Sequence, residues 1–326
     1  MTRSVAVWHS AGLVEPAVNW GRLGNVYLFA NGKGGVGKST CSTHGAALVA
    51  SDGARVLLVD LNGQGNVANM LGFANTEVDD KGRNLYSAIT AGAGLTPVRD
   101  VRPGLDVVPG GQYVRRIAPV MASEMGNPQS AKQVLMSLAL ALQQISDQYG
   151  LIFIDSPPEN QLLLQAALCA ARFVVVPMKT DDLSRTGLRE LAGDLRAMRE
   201  HNPYVMLLGC FVFASGRSST KIREEMRRNV ASDLGQNPNV MLETFIRHSE
   251  AVGRDVPKFG RLAHELEQEI VNNPSRAAIR RGEADASSVV SSTSASVAED
   301  FAKLTGEILT RGSQIRGDMI DEGVWP

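Results

Sequence analysis

From Asn25 onward, short apolar runs bounded by turn residues alternate with longer stretches whose apolar positions recur every three or four residues. The runs Val26–Ala30, Arg55–Asp60, Leu105–Val108, Leu151–Asp155, Phe173–Val176 and Met206–Phe213 predict strands, with a further candidate at Val240–Thr244. The periodic stretches Lys38–Ser51, Leu85–Ala91, Ser130–Gln148, Gln161–Ala171, Leu183–Arg199, Thr220–Leu234 and Ser296–Arg311 predict helices. Strands and helices taking turns in this way predict an α/β fold, a mostly parallel twisted sheet with helices on both faces. The last helix is well marked, because Val297, Phe301, Leu304 and Ile308 share one face and Gly312 stands where a helix would stop.

Outside that alternation the chain divides into smaller parts. Residues 1–24 hold Trp8, Pro16 and Trp20 among scattered glycines with no sustained period, which predicts an arm beside a core domain at 25–311. Within the domain, the Ser- and Ala-rich stretch 284–296 has no period and predicts a flexible insertion. Residues 312–326 predict an acidic tail.

With 326 residues, 44% of them hydrophobic, the chain can bury one large core. A net charge of −1 requires any nucleic-acid contact to come from a local basic patch. Cys41, Cys169 and Cys210 lie far apart in apolar stretches, which predicts buried thiols in a reducing cytoplasm. No Cys-x-x-Cys is present, which argues against zinc or iron–sulfur binding. No run reaches the length of a membrane span and the N-terminus lacks a signal-type apolar region, so a cytoplasmic protein is expected.

Candidate chemistry begins at residues 32 to 39, Gly-Lys-Gly-Gly-Val-Gly-Lys-Ser, set between a predicted strand and a predicted helix. This is the context of a phosphate-binding loop. Glycines at 32, 34, 35 and 37 let the backbone bend and free its N–H groups for phosphate oxygens, and the helix beginning near Lys38 adds its positive end. Gly34, Gly35, Val36, Gly37, Lys38, Ser39 and Thr40 are the candidate nucleotide-binding residues. Lys38 would neutralise the β and γ phosphates, and the Ser39 hydroxyl would ligate Mg²⁺. A second lysine in the loop, Lys33, narrows the reading to a small group of ATPases.

Two further blocks follow strands: Asp60-Leu-Asn62-Gly-Gln64-Gly-Asn66 and Asp155-Ser-Pro157-Pro158. In an open parallel sheet the carboxyl ends of neighbouring strands meet at one edge, so Ala30, Asp60 and Asp155 should gather beside the loop. Asp155 would hold the Mg²⁺ hydration shell, with Asp60 near the same ion. A lone strand-end Asp is more often a turn residue, but three blocks in this order argue for a site.

On these residues, from about Asn25 to Arg261 and again in the C-terminal helix, the chain resembles the ParA/MinD family of deviant Walker ATPases, and more closely its ParA branch of DNA-partition motors. The carrying segments are Lys33–Thr40, the Asp60–Asn66 block, Ile154–Pro158, Pro177–Leu188 and Ile246–Ala251. The resemblance implies a P-loop NTPase fold, ATP and Mg²⁺ as ligands, and an ATP-dependent face-to-face homodimer. In that dimer Lys33 would reach the other subunit's phosphates. It also implies binding of nonspecific DNA, release on hydrolysis stimulated by a ParB-like centromere-binding partner, and a cytoplasmic, nucleoid-associated location without membrane attachment.

Two positions depart from the family. Relatives usually show Asp-x-Asp-Pro-Gln in the second block, where the second Asp positions the attacking water; here Asn62 and Gly63 stand in its place. With Lys33, Asp60 and Asn62 as the catalytic candidates, slow turnover is expected, because an amide cannot take a proton. At Phe213, relatives commonly carry a polar residue against adenine; an aromatic there can stack on the base or fill core space.

Basic residues cluster at Arg217–Arg228 and again at Arg247–Arg261. Such clusters are ordinarily solvated helix faces, and Glu224 and Glu225 sit within the first. The resemblance nominates Arg217, Lys221, Arg247, Arg254 and Lys258 for DNA contact. A MinD-like membrane-cycling regulator would need a basic amphipathic C-terminal helix, which the acidic tail does not offer. An amidoligase or metal-insertion ATPase would need substrate-specific residues or a Cys pair. A hydrolysis-impaired nucleotide-binding scaffold is the alternative that Asn62 supports.

Overall fold

Alternate residues of the central strands feed two separate cores. Val26 and Leu28 pack on one face of the sheet while Tyr27 and Phe29 pack on the other, and Leu57 and Val59 are likewise separated from Val56 and Leu58. Strands buried on both faces must be apolar throughout, which is why these runs stood out as predicted strands. The computed structural model describes residues 17–157, 160–216, 218–235, 240–283 and 285–326; the first sixteen residues of the expected arm lie outside that range.

The sheet has seven strands: β1 (Val26–Phe29), β2 (Val56–Asp60), β3 (Val98–Arg102), β4 (Leu105–Val108), β5 (Leu151–Asp155), β6 (Phe173–Met178) and β7 (Met206–Val212). Their order is β3-β4-β2-β5-β1-β6-β7, parallel except for the antiparallel β3. On one face lie α3 (Arg83–Ala91), α4 (Ile117–Glu124), α5 (Pro128–Gln143), α6 (Gln161–Ala170), α7 (Asp182–Met198) and α8 (Thr220–Asp233). On the other lie α1 (Lys38–Ser51), α2 (Asn66–Met70), α9 (Glu250–Phe259), α10 (Ala263–Glu269) and α12 (Ser294–Asp321), while the short α11 (Arg276–Arg280) has no buried residue.

Strand β3 escaped prediction because its residues, Val-Arg-Asp-Val-Arg, are only half-buried at the sheet edge. Of the strand expected at Val240–Thr244 only an isolated bridge at Met241 forms, with a second bridge beyond it at Arg247. The cause is a carboxylate from α12: Glu307 accepts the N–H groups of Glu243 (2.6 Å) and Thr244 (2.9 Å), which interrupts the ladder. The stretch read as a flexible insertion holds a short 3-10 turn at Ala286–Ser288, and its last residues already belong to α12.

Helix α12 runs 28 residues, through the glycine expected to end it. Gly312 serves close approach instead: a Cβ there would strike the Tyr27 hydroxyl, and Tyr27 is 4% exposed. Beyond the helix, Trp325 lies 4.2 Å from the Arg172 guanidinium and packs near Phe173. The far end of the chain therefore closes the amino edge of the sheet.

Helix α1 is buried on nearly every side, and its small residues allow this. Gly45 lies against Thr305 of α12, and His44 stacks on Phe301 with ring centroids 3.9 Å apart. The His44 tautomer follows from its partners. Nε2 accepts the Ala263 N–H (3.1 Å), which can only donate, so Nδ1 carries the proton given to the Thr40 carbonyl (2.8 Å). Burial, with the nearby His264, pushes the His44 pKa down to about 3.

Two outcomes are expected from this packing. Because His44 is kept neutral in the fold and takes a proton once unfolded, its contribution is complete above about pH 6.5. Below that it is lost at up to about 1.4 kcal/mol per pH unit. Urea midpoints at pH 7.5 and 5.5 should show the gap between wild type and His44→Ala narrowing at the lower pH. Gly312→Ala should cost about 1–3 kcal/mol by overpacking against Tyr27, a loss that thermal melts would detect.

Candidate functional site

The sheet register assembles the site. Phe29 of β1 and Asp60 of β2 both stand opposite Asp155 of β5, so the three predicted blocks meet at one carboxyl edge. Between β1 and α1 the chain forms the glycine loop, with Gly35 at φ 70° and Gly37 at φ 90°, values that favour glycine. Asn31, 1% exposed, starts the loop rigidly: its Nδ2 donates to the Pro177 carbonyl (2.8 Å) and its Oδ1 accepts the Lys33 N–H (2.9 Å).

Lys38 is buried under the loop, its ammonium donating to the carbonyls of Asn31 (3.1 Å) and Lys33 (2.9 Å). It sits where phosphate charge would be received. Lys33 points elsewhere: its ammonium pairs with Asp181 at 2.7 Å, on the turn that leads into α7. Asp181 also caps that helix by accepting the Ser184 N–H (2.8 Å). Burial would raise its pKa, but the Lys33 bond and the Ser184 cap outweigh that and hold the carboxyl below its ordinary value.

The two strand-end carboxylates are both fully buried and differ sharply. Asp60 accepts the N–H groups of Asn62 (2.8 Å) and Val67 (3.4 Å), so it braces its own loop and the start of α2. Among the described residues, neither Asp155 oxygen meets a partner in good hydrogen-bond geometry, although the Ser39 hydroxyl stands beside it. Burial pushes its pKa up, and the neighbouring Ser39 hydroxyl and Lys38 ammonium pull it back. Burial and the Asp155 charge raise that of Asp60 in turn. Two unmet carboxylate oxygens beside a serine hydroxyl fit a hard, oxygen-seeking cation, so Ser39 and Asp155 are the residues equipped to hold Mg²⁺. Asp60 is less available, since both its oxygens are already engaged.

A cavity of about 670 Å³ opens beside the loop, within the size range of small-ligand sites. Its lining includes Gly34, Gly35, Gly37, Lys38, Ser39, Thr40 and Asn62, while Val36 is buried behind the loop. Asn62 lines it with a braced amide: Oδ1 accepts the Gln64 N–H (2.9 Å), and the amide nitrogen and the second lone pair of Oδ1 remain to make further bonds. Next to it, Gly63 has no room for a side chain, because Arg115 lies 2.5 Å from where a Cβ would stand. The same crowding excludes the proline that the resemblance leads one to expect.

The role of the far wall was not foreseen. Met70, Lys179, Ile246 to Glu250, Val252 and Pro257 line the cavity, so the late segment helps to enclose the ligand. The sequence marked this wall through the Ile246–Ala251 segment of the family resemblance and through the N-cap pattern at Ser249, which accepts the Val252 N–H at 3.3 Å. The Phe213 ring packs on Gly37, 2.6 Å from where a Cβ would stand. Phe213 also lines the cavity, so packing on Gly37 leaves part of its ring facing the ligand space.

The residues nominated for DNA do not form one open cluster. Arg247 is held by Asp300 through two bonds of 2.6 and 2.7 Å, Arg254 pairs with Asp255, and Lys258 donates to the Ser287 carbonyl. Lys221 is exposed on α8, and Arg217 lies outside the described residues. Among the described residues, no helix is long and apolar enough to cross a membrane.

A protein-family model described as an AAA domain matches residues 24–206. The chain is 26% identical over 238 residues to the chromosome-partitioning ATPase Soj of Treponema pallidum, spanning 72% of this chain and 89% of Soj. It is 29% identical over 241 residues to the chromosome partitioning protein ParA of Caulobacter vibrioides, spanning 72% and 85%. Among solved structures, cobyrinic acid a,c-diamide synthase of Mycobacterium smegmatis, with bound ATP analog and magnesium, matches with a TM-score of 0.54 at 25% identity. That match covers 64% of this chain and 79% of the synthase.

Gly37→Ala combines a left-handed backbone with a collision against Phe213, so it should abolish binding of a fluorescent ATP analogue at concentrations that saturate wild type. Retained binding would show that the loop does not need this geometry.

Proposed function

The chain belongs to the AAA-domain family, in its ParA/MinD group of ATPases, and on that premise we propose that it is a DNA-partition ATPase. In this reading, ATP binding assembles two subunits face to face, the dimer binds DNA without sequence preference, and hydrolysis stimulated by a ParB-like partner releases it. The observation that carries it is the division of labour between two lysines. Lys38 occupies the phosphate cavity, whereas Lys33 turns away to Asp181 at the molecular surface, with its side chain 26% exposed. A cation excluded from its own site is available to a neighbouring one.

The mechanism follows from the residues present. Lys38 and the loop N–H groups receive the β and γ phosphates, and α1 adds its positive end. Ser39 and Asp155 would hold Mg²⁺, which when bound neutralises phosphate charge. Two phosphate chains brought together repel each other, and Lys33 released from Asp181 offsets that repulsion only when the γ-phosphate is present. Dimerisation thereby reports which nucleotide is bound. A location on the nucleoid, in a cytoplasm, accords with this cycle.

Asn62 sets the pace. Its amide, braced by the Gln64 N–H, offers hydrogen bonds but no base to the cavity. It can hold a phosphate oxygen but cannot draw a proton from water, which favours a long-lived ATP state.

Light scattering with a nonhydrolysable ATP analogue should show dimers for wild type and monomers for Lys33→Ala. Monomers in both would sink the proposal. DNA retention should require ATP and fall steeply with salt. Steady-state hydrolysis should rise about 10²-fold or more in Asn62→Asp, and no gain would remove Asn62 as the cause of slow turnover.

A further inference from the structure

The cations of the late segment are largely spent on carboxylates: Arg227 on Glu243, Arg247 on Asp300, Arg254 on Asp255 and Arg261 on Glu269. Three other arginines are not. Arg83 begins α3, and Arg115 and Arg116 end the loop that follows β4; all three are exposed, and among the described residues none forms an ion pair. The acids nearest in sequence to Arg83, Asp79 and Asp80, use their oxygens on the backbone N–H groups of Asn75, Lys81, Gly82 and Asn84.

Two of these arginines are held together in spite of their like charge. The guanidinium carbons of Arg83 and Arg116 each stand 5.0 Å from the centroid of the Tyr113 ring, and Arg83 Nη2 donates to the Tyr113 hydroxyl (3.1 Å). Arg115 is fixed separately by donating from Nε to the Gly63 carbonyl (2.9 Å). The ring quadrupole offsets part of the mutual repulsion, and an anion set among the three would relieve the rest. Planar guanidinia suit phosphate oxygens through paired N–H donors.

We propose that Arg83, Arg115 and Arg116 form a binding surface for the phosphate backbone of duplex DNA. The inference rests on the DNA-partition reading and places a contact where that reading did not. Helices α3 and α4, which flank these arginines, pack on one face of the sheet while α9, which carries much of the late basic segment, packs on the other, so this surface is separate from that segment. The Tyr113 ring is occupied by guanidinia, so it offers no platform for unstacked bases, which favours a duplex over a single strand. The surface is also tied to the nucleotide site: Gly111 donates to the Asn62 carbonyl (2.9 Å) while Arg115 grips Gly63. Contact here would thus be felt beside the γ-phosphate position.

The test is fluorescence anisotropy of a labelled duplex of random sequence against protein saturated with a nonhydrolysable ATP analogue, across a salt series. The double variant Arg83→Ala/Arg116→Ala should bind at least about 10-fold more weakly, with a salt slope smaller by about 2. The double Lys variant should recover most of the slope. Nucleotide affinity and dimer mass serve as fold controls and should not change. Wild type that binds no duplex in any nucleotide state overturns the partition reading and this inference together. Wild-type binding with affinity and slope unchanged in the Ala variant overturns this inference alone. So does intact DNA binding with lost retention on poly-glutamate, which would assign the surface to an acidic polypeptide.

Discussion

Two carboxylates, Asp60 and Asp155, are buried side by side at the carboxyl edge of the sheet, and the site is organised around making that arrangement tolerable. Burying one uncompensated charge is costly, and two adjacent ones raise each other's energy. The chain treats them differently. Asp60 is met by backbone N–H groups of its own loop, which turns its charge into a brace for Asn62 and α2. Asp155 is left open beside Ser39 and Lys38, which offset part of its cost, and a cation would offset more. The parallel register that aligns these strands is therefore what sets the two carboxylates beside the glycine loop.

Much of this was legible because the informative residues are contiguous. The Lys33–Ser39 loop, Asp60 with Asn62, and Asp155 each follow a strand whose apolar run marks it, and strand-end chemistry in a parallel sheet converges by topology. The partners of those residues were not legible. Asp181 meets Lys33, Asp300 meets Arg247 and Arg115 meets Gly63 across separations of 148, 53 and 52 residues, with nothing periodic to announce them. The carboxylate partners of Arg247 and Arg254 were likewise invisible to any count of basic residues along the chain.

Gly312 shows a different limit. A glycine near the end of a helical pattern can mark a left-handed cap or a place where another side chain comes too close for a Cβ, and both uses exploit the same missing atom. Only packing distinguishes them, and here Tyr27 decided it. Strand β3 and helix α9 were missed for a related reason. One is half-exposed, and the other hides its start behind basic residues and carries Pro257 inside.

The grip of Glu307 on the N–H groups of Glu243 and Thr244 has a consequence for how copies of this protein can meet. Beyond β7, these amides would otherwise lie along the outermost margin of the sheet, ready to template a foreign strand. An anionic side chain from the long terminal helix satisfies them internally. Strand-to-strand growth into fibrils or mispaired oligomers is thereby discouraged on that flank.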